Sequence, residues 1–383
     1  MAANGGNGPT RAHFHPVAGA SRAAWTPADL RADTSWIVEL DDRARRDLTA
    51  AVHGASDPQK SLFDYQRADF DLGTAFEPIA SAFREAQHGR GLAVLRGLPR
   101  AELSEPDFGL LTWAIGLHFG VARPQGKTSQ YMAGVRNVGV DYRSASGRGY
   151  SSNAELDFHI DTADVTLLTC FNAARSGGMS LVVSSITAHN VLGRERPDVL
   201  EVLYEPFHFS RQAEEAPDET PTYTIPVFDV LDGALFGKWN RNRMLSAQRI
   251  DGVPPLSDRQ REAMGVIDAV LRRPDVLHTM FLEPGDAQLL SNFKMLHSRT
   301  TFEDDDDPGK RRLLYRLWMT PSDAPQIPAS WQPLFRSSAA RTVRGGIIGH
   351  CYDEACRAFD ARQAADHGLH LPPGAKDSSQ GNA

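Results

Sequence analysis

His159 and Asp161 stand two residues apart in the stretch ELDFHIDTADVTLLTCFNAARSGGMSLVVSS, residues 155–185. On a β-strand, residues two apart share a face, so an imidazole and a carboxylate would stand side by side. These are two of the three groups of a 2-His-1-carboxylate triad, the donor set of non-haem Fe(II) oxygenases. The third ligand has to come from a distant strand. His297, in NFKMLHSRT, is the candidate, with His118, His189, His208 and His278 as competitors. Downstream, Arg312 and Arg316 lie four apart in RRLLYRLWM and would share a strand face with Leu314. An arginine on the inner face of an apolar strand is costly unless paired. A bidentate carboxylate is the natural partner, supplied by a ligand or by the protein itself. Ser180, just past the turn at Gly177 and Gly178, could add a hydroxyl donor to the same carboxylate.

The elements that must hold these residues follow from periodicity and punctuation. Helical spacing and capping residues predict helices over about 74–88, 104–119, 257–272 and 352–367. Apolar runs bounded by Gly and Pro predict strands over 92–96, 165–171, 181–185, 288–292, 295–299 and 311–319, with short β-like pieces at 131–132 and 138–140. Helices come first, then β-rich segments, an insertion over about 204–280, and more strands. That order fits an α+β fold with helices packed on an antiparallel sandwich or barrel. Residues 1–24 and 371–383 read as disordered tails around one domain over 25–370, with its core at about 90–320. The Gly- and Arg-rich stretch 120–152 offers Gln130 and Tyr150 as pocket residues, and Glu155, Trp239 and Arg316 are further candidates to meet a substrate.

Composition narrows the function classes. The chain has 383 residues, 41% hydrophobic and 23% charged, with a net charge of −7. An acidic chain of this kind is a poor partner for nucleic acid or an anionic membrane. Cys170, Cys351 and Cys356 make no disulfide framework, no apolar run approaches the ~20 residues of a membrane span, and the first residues lack a signal-peptide core. A soluble cytoplasmic protein is expected, with association into homo-oligomers left open. No Gly-x-Ser-x-Gly elbow, dinucleotide fingerprint or P-loop spacing is present.

FHID, SGGMSLVVSS, LEPGDAQLLSNFKMLHSRTTFED and RRLLYRLW, in that order and preceded by GLAVLRGLP, resemble the Fe(II)/2-oxoglutarate dioxygenases of the taurine dioxygenase (TauD/TfdA) family. The resemblance spans roughly residues 90–320. It implies a double-stranded β-helix (jelly-roll) core, with iron held by His159, Asp161 and His297. It implies that Arg312, helped by Ser180, holds the distal carboxylate of 2-oxoglutarate, with Arg311 as the one-residue alternative. Arg316 matches an arginine that in some members grips an anionic group of the substrate. The implied reaction consumes 2-oxoglutarate and O₂, yields succinate and CO₂, and oxidises a small acid, a carboxylate, sulfonate or amino acid. Halogenating relatives lack the ligand carboxylate, so Asp161 implies hydroxylation or a related oxidation. No histidine matches the family's sulfonate-binding one, which speaks against taurine itself. Two other readings use the same residues: a non-catalytic jelly-roll binding protein, and a zinc hydrolase, since Zn²⁺ also accepts two histidines and a carboxylate.

Overall fold

The structure, a computed structural model, describes residues 21–140 and 151–372. Most residues of the two expected tails, and Tyr150, lie outside this range. Ala23, expected in the N-terminal tail, is fully buried, and its carbonyl accepts a hydrogen bond from Ser184.

Two sheets face each other across a cleft. The larger has seven strands, in the order Ile37–Glu39, Leu92–Arg96, Ala287–Ser291, Val165–Asn172, Leu313–Thr320 and Val121–Arg123, with Met132–Val135 also pairing on Leu313–Thr320. Its pairings are antiparallel except that of Ile37–Glu39 with Leu92–Arg96. The smaller sheet is His278–Met280, Ser180–Ser184 and Met295–Arg299, all antiparallel. With the helices packed around them, these sheets make an α+β protein with a jelly-roll core.

Strand alternation sorts the side chains between an apolar layer and the cleft. Along Leu313–Thr320, the residues Leu313, Leu317 and Met319 join Val165, Leu167 and Leu289 in one buried cluster. The intervening Leu314, Arg316 and Trp318 line the cleft, as does Arg312 just before the strand. The helices Phe76–His88 and Glu105–Phe119 cover the apolar side. The first contributes Ile79, Ala82, Phe83 and Ala86, one face at helical spacing. The second starts where the Ser104 hydroxyl accepts from the Asp107 N–H, and it is buried on every side from Phe108 to Leu117. Burying each such side chain contributes roughly 1.5–3 kcal/mol, which is why this layer fixes the strand register.

The insertion at about 204–280 is packed structure. Pro206–Ser210 pairs with Thr222–Pro226, and Phe228–Leu231 pairs with Ala234–Gly237. Helices Arg241–Ala247 and Asp258–Leu271 follow. Phe207, Phe209, Phe228 and Trp239 are fully buried there. The alternation of aromatic and polar residues thus builds its own core, and one edge of it reaches the cleft.

Two expectations about strands fail. Residues 138–140 form no strand, and both valines are exposed, leaving nothing to bury against a neighbour. The His-x-Asp segment is an extended loop with a single bridge at His159, and the strand begins only at Val165. Among the described residues, no helix is long and apolar enough to cross a membrane.

Candidate active site

His159 and His297 meet through their backbones. Each donates its N–H to the other's carbonyl at 2.9 Å, a hydrogen-bonded antiparallel pair, and their ring centres lie 4.3 Å apart. A second bridge from His159 runs to Asn240 of the insertion. Asp161 is brought beside them by a polar frame. Its N–H donates to Asn292 Oδ1 at 3.0 Å, and its Oδ2 accepts from Thr166 Oγ1 at 2.9 Å. Asn292 Nδ2 closes the frame on Thr166 at 3.0 Å. One ligand atom from each of His159, Asp161 and His297 lies within 4.8 Å of the others. Nothing in the sequence marked Asn292 and Thr166; their role appears only once the loop and strand are folded together.

The protonation states suit a divalent cation. His159 Nδ1 lies 2.9 Å from the Asp157 carbonyl, which can only accept, so Nδ1 carries the proton and Nε2 offers a lone pair. Burial pushes both imidazoles down, His297 to about 3, so both are neutral. Burial alone would raise the Asp161 carboxyl. The Arg316 guanidinium, with the Thr166 hydrogen bond, outweighs it and holds it at about 2. His297 Nε2 lies 3.7 Å from Asp161 Oδ2, too far for a hydrogen bond, and His297 Nδ1 is buried without a partner. Two neutral imidazoles and an ionised carboxylate converge without bonding one another, so the donor set fits Fe(II).

The triad sits in a cleft of about 1100 Å³, counting the space open to solvent. Gly178, Ser180, Gln288 and Arg312 line the same cleft. Gly177 and Gly178 both take φ of +71°, a left-handed conformation that glycine adopts without strain. At Gly177 a Cβ would stand 2.2 Å from the Thr301 carbonyl oxygen, so the turn leading to Ser180 needs glycine there. Ser180 Oγ donates to Gln288 Oε1 at 3.0 Å. Arg312 is 6% exposed, and among the described residues no carboxylate pairs with its guanidinium. It lies against the Phe302 ring, 5.0 Å from its centre, and burial pushes it down to about 10. Arg311 is exposed and does not line the cleft.

Other sequence candidates fall elsewhere. Arg316 lines the cleft, but its Nη1 lies 3.2 Å from Asp161 Oδ1 and its Nε donates to Gln125 Oε1 at 2.8 Å. Its partner is therefore a carboxylate of the protein. Gln130 stands beside this frame, its carbonyl accepting from the Gln125 N–H, and it does not line the cleft. Glu155 pairs with Arg272 at 2.6 Å on a half-exposed rim. Trp239 is fully buried behind the wall, its indole N–H donating to Asp268 at 2.9 Å. None of His118, His189, His208 and His278 lines the cleft. The insertion instead supplies Gln212, Lys238, Asn240, Asn242 and Arg243, which the sequence did not single out.

Comparison with known proteins agrees with this geometry. The family model "Taurine catabolism dioxygenase TauD, TfdA family" matches residues 55–318, a span that holds the triad, Ser180, Arg312 and Arg316. FR-33289 synthase of Streptomyces rubellomurinus is 29% identical over 322 residues, covering 82% of this chain and 93% of that protein. Uridine-5'-phosphate dioxygenase of an Amycolatopsis species is 27% identical over 274 residues, covering 66% of this chain and 96% of that protein. Among solved structures, asparagine oxygenase in complex with Fe(II), 2S,3S-3-hydroxyasparagine and succinate superposes with a TM-score of 0.56 at 20% identity, covering 77% of this chain and 98% of that one. That likeness is one of fold. The chain belongs to the taurine catabolism dioxygenase TauD, TfdA family and is an Fe(II)- and 2-oxoglutarate-dependent oxygenase.

Proposed function

We propose that the chain couples oxidative decarboxylation of 2-oxoglutarate, to succinate and CO₂, to hydroxylation or a related oxidation of a small anionic organic substrate. The observation that carries this reading is the buried Arg312, without an acid partner among the described residues, in the same cleft as the converging triad. His159, Asp161 and His297 would hold the iron, and Arg312 with Ser180 would hold the distal carboxylate of 2-oxoglutarate. Bound iron, with 2-oxoglutarate and O₂, supplies the oxidising chemistry. The chain's own residues do the rest. The His159 Nδ1–H bond fixes the ring's tautomer, and Arg316 and Thr166 fix the Asp161 carboxylate. The apolar side chains of Leu168, Leu282 and Leu314 line the cleft and limit water there.

Charge supports an anionic substrate. The described lining has the cations Lys238, Arg243, Arg299, Arg312 and Arg316 against the single carboxylate of Asp161. Two of the three relatives named above fit a small charged substrate, since one is named for a nucleoside phosphate and another is solved with a hydroxylated amino acid. The three cysteines, all free, support a reducing cytoplasmic location. The test is anaerobic addition of Fe(II) and then 2-oxoglutarate to the metal-free protein, followed by absorbance. A charge-transfer band that needs both additions is expected, with slow succinate release on admitting O₂. A protein that binds Zn²⁺ but develops no band with Fe(II) and 2-oxoglutarate would overturn the reading.

A further inference from the structure

Lys238 is 2% exposed and lines the cleft, at the point where the insertion returns to the triad. Two residues on, Asn240 forms the backbone bridge to His159, so this wall is tied directly to a proposed iron ligand. The ammonium nitrogen lies 4.9 Å from the centre of the Phe209 ring and 5.5 Å from that of Tyr223. Ring faces stabilise a cation by a kilocalorie or two, which does not offset full burial. Among the described residues it has no ion-pair or hydrogen-bond partner.

Two acids of the insertion are already taken. Glu214 pairs with Arg243 at 3.3 Å, and Glu219 pairs with Arg211 at 3.3 Å and Arg336 at 3.0 Å. Arg243 also donates to the Ser210 carbonyl, and Arg211 to the carbonyls of Thr220 and Pro333. These arginines have their forks occupied, whereas Lys238, which also lines the cleft, has no acid partner among the described residues. Arg316, the sequence candidate for gripping a substrate anion, is held by Asp161 and Gln125.

We infer that Lys238 anchors the substrate through a tetrahedral oxyanion, a phosphate ester or phosphonate. This rests on the reading of the site as an iron and 2-oxoglutarate centre. The choice of oxyanion follows from the donor. Planar carboxylates are matched best by an arginine fork, whereas a lysine ammonium binds phosphoryl oxygens as a compact charge. Gln212 and Asn242 on the same wall can add neutral donors to the remaining oxygens. Burial, with Arg243 and Arg211, pushes the Lys238 amine well below its usual range, and a docked dianion would act in the opposite direction.

The test is titration of the Fe(II)- and 2-oxoglutarate-loaded protein, kept anaerobic, with methylphosphonate, inorganic phosphate and acetate. The charge-transfer band, which shifts when the coordination around iron is perturbed, and calorimetry serve as the two readouts. Methylphosphonate and phosphate should bind at least about tenfold tighter than acetate, and Lys238→Met should weaken them about 30-fold, as expected for loss of a close charge pair. Lys238→Gln carries the same expectation and keeps a polar tip in the cleft should the Met variant fail to fold. Unchanged phosphonate binding in either folded variant, no binding to the wild type, or acetate binding as tight as methylphosphonate would overturn the inference. If the band itself never forms in the wild type, the iron and 2-oxoglutarate reading fails first. An intact band with unaltered phosphonate binding counts against Lys238 alone.

Discussion

Buried cations occur in two settings in this protein, and the contrast separates structure from site. Beneath the C-terminal helix Glu354–Asp366, Arg123 meets Asp360 at 2.5 Å, and the Tyr131 and Tyr352 hydroxyls donate to the same carboxylate. Arg344, with no exposed side-chain surface, grips Asp164 through two nitrogens. In the cleft, Arg312 and Lys238 are buried to a similar degree with no acid among the described residues. The electrostatics diverge accordingly. Burial lowers Arg123, but Asp360 and the tyrosines more than reverse it and hold it above its usual range. Burial pushes Arg312 down to about 10 and Lys238 well below normal, with no carboxylate to restore them. A buried charge without a partner costs several kcal/mol, so it persists where a ligand's charge completes it.

Asp161 joins the two settings, because it is at once a proposed iron ligand and the partner of Arg316. Asp161→Ala should therefore have the largest effect. Succinate formation should fall to the background of free iron, and Fe(II) retention after desalting should be lost. Wild-type turnover in this variant would remove Asp161 from the ligand set. Next comes Asp360→Ala, which strands Arg123 beneath the helix. A loss of about 3–5 kcal/mol in urea unfolding is expected, with 2-oxoglutarate affinity within a few-fold of wild type in the folded protein. A loss below about 1 kcal/mol would mean that the helix contact tolerates an orphaned arginine, and the contrast would collapse.

Arg312→Leu inverts that pattern. It removes a cation that already lacks a partner, so folding stability should stay level or rise. The KM for 2-oxoglutarate should climb by the equivalent of about 2–5 kcal/mol, because the cosubstrate carboxylate loses its counter-charge. Steady-state succinate assays and urea unfolding, read together, check both halves. An unchanged KM would place the distal carboxylate elsewhere in the cleft.

The two settings also differ in how far the sequence exposed them. His159 and Asp161 stood out because an imidazole and a carboxylate two residues apart answer a chemical need, whereas His297 was picked from among five histidines, and Arg312 from beside Arg311, by the family resemblance. An antiparallel sandwich or barrel was legible because its strands are punctuated by Gly and Pro, and the jelly-roll came with the family resemblance. The identity of each cation's partner was not legible, since pairing is decided by residues remote in the chain. Arg316 looked available and proved to hold Asp161. At the insertion, the sequence favoured Trp239 over Lys238. Along extended chain, neighbours point to opposite sides, and here the indole entered the apolar core while Lys238 lined the cleft. A lysine among asparagines and arginines reads as surface charge until its burial is seen. His159 and Asp161 do lie side by side, yet through a loop and a framework of Asn292 and Thr166 that periodicity could not reveal.

The smallest effect concerns protons in the metal-free site. His297 has its folded pKa pushed by burial to about 3, against roughly 6.5 when unfolded. Between these values the unfolded chain binds the proton and the folded chain does not, so stability rises with pH through that window. Each unit of acidification below about 6.5 should cost the apo-protein roughly 1.4 kcal/mol from this residue. His159 is lowered for the same reason and adds in the same direction. Asp161, held at about 2, contributes stability that is lost only below its usual carboxylate range, so it does not blur the signal between pH 5 and 7. Asp268 and Asp286, raised by burial, act with the opposite sign, which makes a difference between variants more telling than an absolute slope. Urea unfolding of apo wild type and His297→Gln at pH 7 and pH 5 should show a larger acid loss in the wild type. Bound Fe(II) should flatten that loss while it stays bound, because the metal competes with the proton for the same nitrogen. Equal acid losses in the two apo-proteins would mean that His297 is already protonated when no metal is there, and that the neutral donor set forms only with iron.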